Sequence, residues 1–257
     1  MSFRRVAATL LLAGWAAGGL GRALAGGFEV APTTVQLSGR GRTALVRITN
    51  RGAEPVTLQV QPYDWSEGPQ GEALAPSSTL QVSPPMARLA PGAIQTVRLR
   101  ERGPPPGPSE TAHRLLVSEL PAPEAAARGE VRVLLQFSIP VFGPPAASAG
   151  ARAAPSLAWS ASIAGGDLVL TCANPGLRHV KLDSITVAPA GASDPAPVTQ
   201  LAYVLAGATR SWRVPLAAIG AASSLTVRAD EGQAGKPLIW TVALQRLGDD
   251  RGPGQSR

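Results

Sequence analysis

The chain has 257 residues and a mass of 26.3 kDa, long enough for one large or two small domains that each bury a core. Hydrophobic residues make up 44% and charged residues 16%, which excludes a wholly disordered chain, while 28 glycines and 25 prolines spread between short apolar runs exclude a protein of long helices. One cysteine excludes a disulfide framework within the chain and a thiolate zinc cluster, and two histidines leave little for a histidine-rich metal site.

Residues 1–25 read as a secretory signal. Arg4 and Arg5 form a basic start, Val6–Ala17 is a short apolar core, and Ala23-Leu24-Ala25 places small residues before Gly26 for cleavage. The apolar core is shorter than the roughly 20 residues a membrane span needs, and no later segment is long and apolar enough, so stable membrane insertion is not expected. Removing the signal takes away Arg4, Arg5 and Arg22 and no acid, so the formal charge of +7 falls to +4. No basic run is interleaved with aromatics, which argues against a nucleic-acid partner.

A period of two recurs through the rest. The first strands are expected at Phe28–Leu37, Thr43–Asn50, Pro55–Trp65, Thr79–Val82, Ala93–Glu101, Thr111–Leu120 and Val131–Phe142, separated by glycine and proline turns. Seven short strands so spaced predict an immunoglobulin-like sandwich over 26–143. Pro144–Pro155 lacks alternation and reads as a linker. Leu157–Ile163, Asp167–Ala173, His179–Ala188, Val198–Leu205, Thr209–Val214, Leu225–Ala229 and Leu238–Gln245 predict a second all-β domain over 156–247. Residues 248–257 carry no apolar pattern and read as a flexible tail.

Val131–Phe142 is the most informative segment. Val131, Val133, Leu135, Phe137, Ile139 and Val141 occupy every odd position and would share one face of a strand roughly 33 Å long. One reading packs this stripe on its own sandwich. The other turns part of it toward another protein. Pro140 cannot donate to a central ladder and favours an edge, and an oily edge is an aggregation hazard unless it serves strand addition.

Elsewhere the residues favour structural roles. Cys172 sits in a strand as a small buried hydrophobe, without a base placed beside it by pattern. His113 is expected to pack or hydrogen-bond, and His179 to cap a turn. Trp159, Trp212 and Trp240 read as core of the second domain. No G-x-S-x-G, H-E-x-x-H or paired carboxylates support an enzyme, and no cofactor is implied.

Several segments together resemble a known family. They are Pro32-Thr33-Thr34-Val35, Leu45–Asn50, Gln59–Trp65, the run Pro84–Arg98 (PPMARLAPGAIQTVR), Glu110–Arg114 with Glu119-Leu120-Pro121, and Phe137–Phe142; in the second half, Asn174–His179 and Tyr203–Trp212. In order and spacing they resemble the periplasmic PapD-like chaperones of the chaperone–usher pilus pathway, nearest its archaic, spore-coat-U-associated branch, over about residues 28–245. That resemblance implies an all-β fold of two immunoglobulin-like β-sandwich domains in a boomerang. It implies a non-enzymatic periplasmic chaperone that lends an edge strand to pilus subunits and passes them to an outer-membrane usher. Val131, Val133, Leu135 and Phe137 would be the donor residues, with Ile139 as a fifth candidate; self-association of the free chain through the same edge is left open by the sequence. Many members anchor the subunit's terminal carboxylate with two basic residues. The matching positions here are Thr34 and Gln136, neither charged, so the chain is expected either to anchor through another arginine, such as Arg88 or Arg47, or to do without that anchor. The competing reading is an exported immunoglobulin-like binding or adhesion module without a chaperone role.

Overall fold

Alternation along each strand sets the layers, because successive side chains point to opposite faces. In β1 (Phe28–Ala31), Phe28 and Val30 are buried and Glu29 and Ala31 exposed. In β9 (Thr111–Leu120), Leu115 and Val117 are buried between half-buried neighbours. This is a computed structural model that describes residues 27–39, 41–68, 71–103, 107–121, 133–145, 157–215, 217, 219–230 and 237–246. It is all-β, with no α-helix among the described residues. The expected signal, most of the linker and the tail lie outside them, as does Val131.

The first sandwich has two sheets. One has the order β1-β3-β8-β6, adding β3 (Thr43–Asn50), β6 (Leu80–Ser83) and β8 (Ile94–Glu101). The other has the order β2-β10-β9-β4-β5, formed by β2 (Val35–Gln36), β4 (Val56–Gly68), β5 (Gly71–Pro76), β9 and β10 (Gln136–Gly143), with β7 (Met86–Leu89) also on β4. Val30, Val35, Val46, Ile48, Leu58, Val60, Val97, Leu99, Leu115 and Val117 fill the space between.

Three expectations need correction here. Phe28–Leu37 is not one strand: Pro32 has no N–H to donate, and the chain leaves β1 and re-enters as β2 in the opposite sheet. The hairpin partner β5 and the short β7 were not anticipated, since β5 is exposed or half-buried throughout and so carries no alternation to read. Of the expected stripe strand, β10 covers Gln136–Gly143, and residues 133–135 precede it outside any strand.

In the second sandwich the ladder runs β15-β14-β18-β19-β11-β12-β17. Its members are β11 (Ala158–Ala164), β12 (Asp167–Ala173), β14 (Ser184–Pro189), β15 (Ala196–Thr199), β17 (Thr209–Pro215), β18 (Ser224–Asp230) and β19 (Leu238–Arg246). β13 (Val180–Leu182) pairs separately with β16 (Ala202–Val204). The expected strands His179–Ala188 and Val198–Leu205 are therefore each divided between the two ladders. One core, with Leu168, Leu170, Cys172, Leu182, Ile185, Val204, Leu225 and Val227, joins them. Trp159, Trp212 and Trp240 pack against that core, as expected.

Both sandwiches close a turn with the same device. Asn50 Nδ2 donates to the carbonyls of Glu54 and Leu89, and its Oδ1 accepts from Gly52 N–H. Asn174 Nδ2 donates to the carbonyls of Arg178 and Val204, and its Oδ1 accepts from Gly176 N–H. Each asparagine is almost fully buried, so each satisfies backbone groups that solvent cannot reach.

Candidate functional site: the edge of β10 and the groove between the sandwiches

β10 pairs with β9 along its whole length, antiparallel, from Gln136↔Ser118 to Gly143↔Thr111. Its other side meets β2 only at Val141 and Phe142, with one further bond from Leu37 N–H to the Phe142 carbonyl at 2.8 Å. Among the described residues no strand pairs with that side from Gln136 to Pro140. Beyond the strand's start, Glu119 N–H still donates to the Leu135 carbonyl at 2.9 Å, so the chain stays against β9.

The odd-numbered ribbon runs from the core outward. Val141 and Ile139 (4% exposed) lie in the first sandwich's own core. Phe137 is 36% exposed and meets Phe28 edge-on, with ring centroids 5.1 Å apart, at the open end of that core. Leu135 is half-buried against the core, and Val133 is 76% exposed. The structure therefore divides the stripe into a buried part and an exposed part. The lower part serves the chain's own sandwich, and Ile139 belongs to it. Val133 and Phe137 present apolar surface to solvent beside an unpaired stretch of backbone.

The candidate anchor residues are not brought together. Parallel pairing of Val35 with Val141 puts Thr34 level with Pro140, four residues along from Gln136, or roughly 13 Å. Gln136 is exposed and donates from Nε2 to Ser118 Oγ at 2.7 Å. Arg88 lies on β7 opposite Thr57, on the far side of β4.

The cations that the structure does place in the groove are Arg114 and Arg210. Arg114, opposite Pro140 in the ladder, lies with its guanidinium 3.7 Å from the centre of the Trp65 ring and reaches Glu72 at 3.3 Å. Arg210, from the second sandwich, donates to Glu67 at 3.0 Å, to Glu72 at 3.2 Å and to the Tyr203 carbonyl at 3.0 Å. Glu67 also accepts from Leu205 N–H at 2.8 Å. Burial pushes the Glu67 carboxyl above its ordinary range; the Leu205 amide and Arg210 oppose this, and the nearby charge of Glu72 adds to it. No local pattern marks these partners, because Glu67 and Arg210 are far apart in the chain and each is an ordinary strand residue.

An apolar seam lies beside these ions. Trp65 and Phe142 from the first sandwich pack on Tyr203 and Leu205 from the second. A cavity of about 220 Å³ beside it is lined by Trp65, Glu67, Glu110, Ala112 and Leu205, among others. On the opposite flank of β9, His113 is held between Asp64 (Nδ1, 2.9 Å) and Glu101 (Nε2, 3.4 Å), the hydrogen-bonding role expected of it. Arg42 completes this cluster with bonds to Glu101, the Thr111 hydroxyl and the Pro144 carbonyl. None of these groups is arranged as a nucleophile with its base. Cys172 is fully buried, and burial, with a smaller push from the Glu67 charge, drives its thiol up to about 12.

The comparisons bear on this geometry. Residues 27–149 match the family described as pili and flagellar-assembly chaperone, PapD N-terminal domain. No curated protein matches the sequence. Among solved structures, a chain of the CsuC–CsuE chaperone–tip adhesion subunit pre-assembly complex, from the archaic chaperone-usher Csu pili of Acinetobacter baumannii, is similar at 20% identity and a TM-score of 0.67. That match covers 86% of this chain and 100% of that one. A chain of the Salmonella enterica SafA pilin–SafB chaperone complex is similar at 20% identity and a TM-score of 0.58, covering 84% and 96%. The Pseudomonas aeruginosa CupB2 chaperone is similar at 19% identity and a TM-score of 0.52, covering 84% and 100%. These likenesses bear out the two-domain, all-β immunoglobulin-like fold.

Proposed function

We propose, starting from the match of residues 27–149 to the pili and flagellar-assembly chaperone, PapD N-terminal domain, that this chain captures pilus subunits in the periplasm through the open side of β10 and delivers them to an outer-membrane usher. The observation that carries the reading is the outer side of Gln136–Pro140, which has no strand partner among the described residues, with Phe137 and Val133 exposed beside it. A subunit lacking its last strand would pair its backbone there, and main-chain bonds tolerate varied subunit sequences. The alternating side chains would fill the subunit's open groove, each contributing about 1.5–3 kcal/mol before ordering costs.

The donor set is Val133, Leu135 and Phe137, with Val131, outside the described residues, kept as a candidate from its place in the sequence pattern. Ile139 stays with the chain's own core. We assign the first domain to residues 26–143 and the second to 156–247, with the linker between them and residues 1–25 as the export signal. A carboxylate anchor on this chain falls to Arg114 and Arg210 rather than Thr34, Gln136 or Arg88, because guanidinium pairs bind carboxylates well and these two flank the groove. The role is that of a binding protein with no catalytic step.

The test is co-expression with the subunits encoded beside this gene, followed by purification from the periplasm. A 1:1 complex that is lost on Val133→Asp supports the reading. A wild-type chain recovered only free, or a Val133→Asp chain that unfolds, favours an exported binding module whose stripe serves itself.

A further inference from the structure

The two histidines have different neighbourhoods. His113 sits inside the first sandwich, whereas His179 stands on the turn that joins β12 to β13 and reaches across to the other sandwich. Its imidazole stacks flat on Phe142 of β10, with centroids 3.5 Å apart and planes 9° apart. Its Nδ1–H donates to Glu110 Oε1 at 2.8 Å, and its backbone N–H donates to the same oxygen. The Glu110 backbone N–H in turn donates to the Leu177 carbonyl at 3.0 Å. Tyr203 lies at the edge of this stack, its ring centroid 5.8 Å from that of His179 and 6.0 Å from that of Phe142.

Glu110 immediately precedes β9, and Phe142 stands near the end of β10. The turn therefore grips the ends of both strands that build the capture edge. It does so from a rigid base, because Asn174 ties the carbonyls of Arg178 and Val204 and the amide of Gly176 into one unit. Elsewhere the sandwiches meet through the seam of Trp65, Phe142, Tyr203 and Leu205 and through Arg210 with Glu67. A seam of ring contacts resists separation but carries little directional information, whereas a stacked ring with a hydrogen bond in its own plane fixes both tilt and azimuth.

We propose that His179 is a pin that sets the heading of β10 relative to the second sandwich, acting through Phe142 and Glu110 together. It is a positioning residue, and the proposal holds whatever the open edge captures. Its ring supplies the tilt through the stack, and its Nδ1–H supplies the azimuth through Glu110.

The full chain purified from the periplasm is the sample, with two readings: interdomain orientation from residual dipolar couplings, and amide exchange at residues 141–143. His179→Ala is expected to widen the orientation distribution and to speed exchange at 141–143 about tenfold, leaving Val46–Ile48 of β3 unchanged. His179→Asn keeps a donor without the stacked ring, and His179→Phe keeps a stacking ring without the donor; each is expected to fall between wild type and His179→Ala. The proposal is overturned if His179→Ala keeps the wild-type orientation, or if exchange rises equally in β3, which would mark general destabilisation. Should His179→Ala not accumulate, the other two variants decide: widening in either supports the pin, and wild-type behaviour in both overturns it.

Discussion

Gly143, the last residue of β10, packs directly against Thr111, the first residue of β9, with no room for a side chain between them. A Cβ at 143 would overlap the Thr111 hydroxyl, the Arg42 guanidinium and the Glu101 carboxylate, groups already bonded to one another. Arg42 takes a left-handed backbone angle (φ 46°) in the turn that brings its side chain to this place. Gly143→Ala must push one member of the buried cluster aside. It is expected to cost about 1–3 kcal/mol in urea unfolding, as overpacking does. An unchanged midpoint would mean that the cluster yields freely.

Two carboxyls respond to acid in opposite ways. At Glu101, burial raises the pKa but is outweighed by hydrogen bonds from His113, Thr111 and Arg42 and by the Arg42 charge, so it lies below the ordinary 4.5. A lowered folded pKa gives stability that is present above the unfolded value and lost as pH falls through the folded one. Glu67 is raised by burial above 4.5, so the folded state takes up its proton first and gains stability as pH falls from its raised pKa toward 4.5. Unfolding free energy measured against pH should therefore drop below about pH 4.5 in wild type. Glu101→Gln should flatten that drop, and Glu67→Gln should remove the gain above it. The reverse assignment of slopes would contradict the geometry.

Arg210→Ala removes a charged partner from a Glu67 side chain that is fully buried. The Leu205 amide remains as a donor, so the loss should sit toward the lower end of the roughly 3–5 kcal/mol that breaking a buried pair costs. Glu67→Gln, which still accepts from Leu205, should cost less. Equal losses would mean that the ion pair contributes nothing beyond its neutral hydrogen bond.

Cys172 should not react with an aromatic disulfide reagent in the native protein, because the thiolate is the reactive form and burial holds the thiol up to about 12. Its modification rate in rising urea should track unfolding of the second sandwich. Fast labelling without denaturant would show that the core around Leu168 and Leu170 opens readily.

Charge on the ribbon separates its two parts. Val133→Asp should change the chain's own stability by no more than about 0.5 kcal/mol, as exposed sites do, and yet abolish capture. Ile139→Asp should destabilise by several kcal/mol, because it buries an unpaired charge among core side chains. Similar losses of stability at both positions would place the whole ribbon inside its own fold.

Where alternation was strong, the sequence was readable residue by residue: Thr111–Leu120 and Asp167–Ala173 fall where the pattern put them. Alternation says which face is apolar but not which sheet a strand joins. That is why the switches at Pro32 and at Asp183, between β13 and β14, and the unequal burial of Val133 and Val141 on one continuous stripe, could not be read. The interdomain partners Glu67, Glu110, His179 and Arg210 are polar residues whose meaning depends on contacts 69 to 143 positions apart. No local period reports such distances.

The most direct measurement is hydrogen exchange on the chain alone and in complex with a co-expressed subunit, followed at residues 133–139. The account predicts strong protection gained there on complex formation, with β3 and β8 unchanged. A stable complex that leaves those amides exchanging as in the free chain would contradict it.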